Sequence, residues 1–101
     1  MAEITAGMTL IRNSQNVGLN IAVVETAATA DDGDTFELET VLNEADGGPG
    51  IDVKKVIYVN AIQDPTGTAA SEPMKWSDTT DTITIGGATD NKRRTIMVVY
   101  I

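Results

Sequence analysis

The chain has 101 residues, neither cysteine nor histidine, and a net charge of −8. One domain is expected at this length. Disulfides, thiolate chemistry and cysteine–zinc sites are excluded, and so are the usual general base and the commonest metal ligand. The negative charge repels nucleic-acid phosphates and anionic membrane surfaces, so neither is an expected partner.

The aromatic residues are one Trp, two Tyr and one Phe, which leaves Val, Ile, Leu and Met to fill the core. Met1-Ala2-Glu3-Ile4 lacks the basic start and long apolar stretch of a signal peptide. No apolar run approaches the roughly 18 residues of a membrane span. The expected location is the cytoplasm, or a particle assembled there.

Residues 1–18 read as an N-terminal arm or edge strand, and 19–101 as a β-sandwich domain. In the first stretch Met8, Leu10 and Ile11 form a short apolar patch, with a short strand or extended arm near Thr9–Arg12. Asn13 to Gly18 reads as a loop. Leu19–Glu25 is a strand with Leu19, Ile21 and Val23 on one face and Ala22 and Val24 on the other. Asp31-Asp32-Gly33-Asp34 supplies the local hydrogen bonds and positive φ of a turn.

Thr35–Leu42 alternates Phe36, Leu38, Thr40 and Leu42 against Thr35, Glu37 and Glu39. On this reading it is a strand with one wet face. Gly47-Gly48-Pro49-Gly50 marks a contact loop or exposed tip. The longest apolar run, Ile51–Ile62, is rich in β-branched residues and reads as the central strand. Strict alternation puts Val53, Lys55, Ile57, Val59 and Ala61 on one face. Lys54, Val56, Tyr58, Asn60 and Ile62 take the other. Both faces are apolar, so both are expected to be covered.

Gln63–Glu72, with Asp64-Pro65-Thr66-Gly67, is turn and loop. Pro73–Ser77 is a short strand carrying the only Trp, and Thr82–Ile85 alternates with Ile83 and Ile85 inward. Lys92-Arg93-Arg94 leads into Thr95–Ile101, apolar on both faces. No segment shows a helical period on this reading. Six to seven short strands between Gly, Asp, Asn and Pro turns define an all-β fold, a small antiparallel β-sandwich or barrel.

Candidate chemistry is sparse. Asp31, Asp32 and Asp34 offer oxygen ligands of the kind calcium takes, but without the Glu of an EF-hand loop; an acidic turn explains the same residues. Glu37 and Glu39 are paired carboxylates on a wet strand face, where nothing tunes them for acid–base work. No Gly-x-Ser-x-Gly elbow and no phosphate-binding Gly-Lys-Ser/Thr ending occurs. The chain is therefore read as a non-enzyme without cofactor or metal. Trp76 and Tyr58 suit a sugar-binding platform, or Trp76 closes the core. Lys92, Arg93 and Arg94 either guard an aggregation-prone strand or dock on an acidic patch.

Several segments together carry a resemblance: Ala28-Thr29-Ala30-Asp31-Asp32-Gly33-Asp34-Thr35-Phe36, Trp76, Thr82-Ile83-Thr84-Ile85-Gly86-Gly87, and Lys92 through Tyr100. Over most of residues 26–101 the chain resembles small β-rich virion structural proteins of tailed bacteriophages and archaeal tailed viruses. In these a Thr-Ala-x-x-Gly-Asp-Thr segment opens a strand, and a basic-flanked apolar strand closes the chain on Tyr. The resemblance implies a capsid decoration (cement) protein located in the virion. Its partners would be the major capsid protein or other virion subunits. It would be a homo-oligomer, with a trimer the first expectation.

The interface residues expected are Met8, Leu10, Ile11, Tyr58, Val99, Arg93 and Arg94. A carbohydrate- or protein-binding β-sandwich module is the rival reading, and a tail-tube or tail-tip subunit is a third. A sugar module would show a surface aromatic platform and act as a monomer.

Overall fold

The computed structural model describes residues 2–15, 19–45, 52–63, 71–72, 74–76, 80–86 and 93–101. The Gly47–Gly50 loop, the Asp64–Gly67 turn and Lys92 lie outside the described residues.

Two antiparallel sheets form the fold. Strands β1 (Thr9–Gln15), β2 (Asn20–Glu25), β4 (Val56–Gln63), β5 (Ser71–Glu72) and β8 (Arg94–Tyr100) make the larger sheet, in the order β1-β2-β8-β4-β5. Its fifth member is only two residues long, so four strands carry the sheet. Strands β3 (Thr35–Glu37), β6 (Met74–Trp76) and β7 (Thr82–Ile85) make the smaller sheet, in the order β3-β7-β6. The fold is the expected antiparallel β-sandwich, with one helix added.

That helix, α1 (Leu38–Ala45), corrects the reading of Thr35–Leu42 as a single strand. The strand stops at Glu37. From there Leu38, Val41, Leu42 and Ala45 follow the i, i+3, i+4, i+7 spacing of an amphipathic helix. Phe36 and Leu38 also fit a period of two, so two periods overlap at Leu38 and local alternation cannot separate them. Tertiary hydrogen bonds decide. Leu38 N–H donates to the Asp81 carbonyl at 3.1 Å, and Glu39 N–H donates to Asp81 Oδ2 at 2.8 Å. Two of the amides a helix start leaves without partners are thereby satisfied from a distant segment. The eight-residue helix is just over two turns long.

The inner face of the larger sheet packs against α1 and the smaller sheet. Ala22, Val24, Val56, Val59, Ala61, Ile96, Val98 and Tyr100 from one layer meet Phe36, Leu38, Val41, Leu42 and Ile83 from the other, all buried. Full burial of an aliphatic or aromatic side chain contributes about 1.5–3 kcal/mol. Phe36 lies opposite Ile83 in the β3–β7 pairing, and neither has any exposed surface. Ala22 lies in β2 between β1 and β8, and the buried Tyr100 of β8 donates its hydroxyl to Asn13 Oδ1 at 2.7 Å, two strands away.

The acidic turn is structural. Gly33, at φ 89°, supplies the left-handed conformation the turn needs. Asp34 is buried, and its Oδ1 accepts the Ala2 N–H and its Oδ2 the Asp31 N–H, each at 2.9 Å. The first residues of the chain are thus tied to the start of β3, where Ile4 N–H also donates to Thr35 O at 2.8 Å.

Candidate functional site

The larger sheet has a second face, which α1 and the smaller sheet leave open except where Trp76 of β6 meets Tyr58 at its β4 side. Pairing registers arrange its side chains in rows. One row runs Ser14, Ile21, Val99, Tyr58 from β1 to β4, and the next runs Arg12, Val23, Met97, Asn60. Ile21, Tyr58 and Met97 are exposed, and Val23 and Val99 half-buried. Leu19 and Ile101, also exposed, continue the face beyond the ends of β2 and β8.

Two bulges shape this face. In β4 the register shifts between Val56, opposite Tyr100, and Tyr58, opposite Val99, so Ile57 is the extra residue, and both Ile57 and Tyr58 are exposed. A bulge leaves one extra residue unpaired and turns the strand locally. Strict alternation is therefore corrected: Val56 points inward with Val59 and Ala61, while Ile57 joins Tyr58 outside. In β1 a second shift lies between Leu10 and Arg12 and leaves Ile11 55% exposed at the sheet edge. A bulge on an edge strand also hinders unwanted strand pairing there.

The expected interface residues divide. Ile11, Tyr58 and Val99 lie on the outer face. Met8 and Leu10 are half-buried and pack against the core, within the chain itself. β1 extends the sheet and does not fold over its outer face. Arg93 is exposed just before β8. Arg94 is corrected from a docking residue to a structural one, because it is fully buried. Its Nη1 donates to Ala30 O at 3.0 Å, and its N–H donates to Thr26 Oγ1 at 2.9 Å. A guanidinium held there fixes the 26–30 connection and is not presented to a partner.

Sequence reasoning missed Ile21, Ile57 and Met97 as surface residues. The alternation of Leu19, Ile21 and Val23 against Ala22 and Val24 was visible, but not which set faces the core. The set of Ala22 and Val24 does so, both fully buried, while Ile21 is exposed and Val23 half-buried.

The other candidate groups do not converge. Glu37 is exposed on β3, whereas Glu39 begins α1 with Oε1 accepting the Val53 N–H at 2.8 Å, so the two share no wet face. Trp76 packs on the core and meets Tyr58 edge to face, with centroids 6.3 Å apart and planes at 80°. Rings at that angle do not form a flat platform. Among the described residues no group of three or more acidic side chains is placed to hold a metal. A cavity of about 210 Å³ is lined by Ile4, Gly7, Ala27, Thr29 and Ala30, with Thr29 the one polar side chain among the described residues that line it. That is too few polar groups to orient a ligand. Among the described residues no helix is long and apolar enough to cross a membrane.

Compared with protein-family models, curated proteins and solved structures, the chain matches none.

Proposed function

We propose that this chain is a non-enzymatic virion structural protein, of the capsid decoration type, that acts by burying the outer face of its larger sheet against neighbouring subunits. The observation that carries this reading is the exposed row Ile21–Val99–Tyr58 with Ile57 and Met97 beside it. A contiguous apolar patch on an otherwise acidic surface marks an interaction site. The resemblance of residues 26–101 to virion proteins supplies the kind of assembly. The work is mechanical: apolar area removed from water ties subunits of the shell together and the protein to them.

Co-sedimentation of the purified chain with capsids assembled from the major capsid protein of the same genome tests this. Wild type is expected to pellet with the shells and Val99→Asp to stay in solution. A desolvated, unpaired carboxylate at such a contact costs several kcal/mol. Failure of the folded wild type to bind shells overturns the reading. Binding of glycans by a monomer would put the carbohydrate-binding alternative in its place.

A further inference from the structure

Resting on that reading of the outer face, we infer that its first occupant is a second copy of this chain. The two copies are related by a two-fold axis lying in the contact, parallel to β2 and β8 and midway between them.

Area, charge and register each argue for this. The large apolar side chains exposed on the face amount to roughly 600 Å², the top of the range for the largest patch on a monomer. With the half-buried Val23 and Val99 and the polar atoms between them, the face approaches the roughly 800 Å² that each partner gives a standard interface.

Charge selects the occupant. The chain carries −8, and two copies repel at most of their surface. The outer face is the exception. Among the described residues its charged side chains are Arg12, Glu25 and Lys55, the last held beside Ile101 by paired backbone bonds of 2.9 and 3.2 Å, with Arg93 exposed just before β8. Exposed acidic residues such as Asp32 and Glu37 belong to the other layer. Joining copies through the outer face keeps those layers apart. A basic partner would be drawn to them and not to this near-neutral surface.

Register selects the axis. A two-fold axis between β2 and β8 exchanges those strands, and exchanges β1 with β4. Ile21 then stands over Val99 of the partner subunit, and Val23 over the partner's Met97. Arg12 stands over the partner's Asn60, and Glu25 over the partner's Thr95. Arg12 and Glu25 each meet a neutral, hydrogen-bonding side chain. Sheets packed face to face run within about 30° of each other, which this axis permits. An axis across the strands would lay Glu25 over the partner's Leu19, a carboxylate against hydrocarbon. The contact is isologous and closes at two copies, in place of the three that the resemblance implies.

Sedimentation of the full chain at micromolar concentration should give twice the monomer mass, and Val99→Asp should give a folded monomer. Because the chain has no cysteine, single cysteines report the axis. A mixture of Ile21→Cys and Val99→Cys chains should oxidise to a covalent pair. It should do so faster than a mixture of Ile21→Cys and Val23→Cys, which the crosswise axis would bring together. A monomeric or trimeric wild type, or preferential Ile21/Val23 crosslinking, overturns the inference. A monomer that still binds shells would leave the proposed function standing without this contact. A dimer that ignores shells would do the reverse.

Discussion

Asp81 Oδ2 accepts the amide N–H of Glu39 at 2.8 Å, although the two residues are 42 positions apart. This bond does for α1 what an adjacent Ser, Thr or Asp does for most helices. Asp81→Ala should therefore destabilise the protein by about 1–2 kcal/mol, the cost of losing a helix cap. Asp81→Asn, which keeps an acceptor oxygen, should lose less. Urea unfolding followed by Trp76 fluorescence measures both, and equal losses in the two variants would show that the cap contributes nothing.

Asp34 immediately precedes β3, which pairs with β7, the strand that follows Asp81. Its two oxygens hold the Ala2 and Asp31 amides. Asp34→Ala should cost about 1–3 kcal/mol in all, because both part-buried bonds lose their acceptor. For the same reason millimolar calcium should leave the melting temperature of the wild type unchanged, since a ligand held only by the native state must raise it. A calcium-dependent rise reversed by chelator would contradict this account of the turn.

Phe36 is fully buried against Ile83 where the smaller sheet meets α1. Phe36→Ala should cost about 3–5 kcal/mol, transfer and cavity together. That is a large share of the 5–15 kcal/mol by which a native domain is stable. Chemical denaturation with the midpoint compared at equal slope reads it directly. A loss below that of Asp81→Ala would place the core elsewhere.

Glu3 is exposed, and its carboxyl is held below the ordinary value of 4.5 by the hydroxyl and N–H of Thr5, which both donate to it. A depressed folded pKa contributes stability above the unfolded value, and the contribution fades as pH falls through the folded one. Glu3→Gln should therefore flatten the acid limb of stability below pH 4.5, by a small amount because the group is solvated. An acid limb unchanged by the substitution would remove Glu3 from the linkage.

Sequence alone determined the class of fold and the course of β8. Ile96, Val98 and Tyr100 against Met97, Val99 and Ile101 is the alternation observed, because an unbulged strand has a fixed period of two. It also showed that the second face of the central and last strands was apolar. Tertiary structure decided three things that no local pattern carries. Asp81, brought in by the β3–β7 pairing, turned Leu38–Ala45 into a helix where the alternation through Leu38 also suited a strand. The bulge at Ile57 reversed the faces of Val56 and Ile57 at the start of β4, since one unpaired residue shifts the side chains before it to the other side. Burial made Arg94 a brace for the 26–30 connection and left its neighbour Arg93 at the surface. Each depends on contacts between residues far apart in the chain, and those exist only once the sheets have formed.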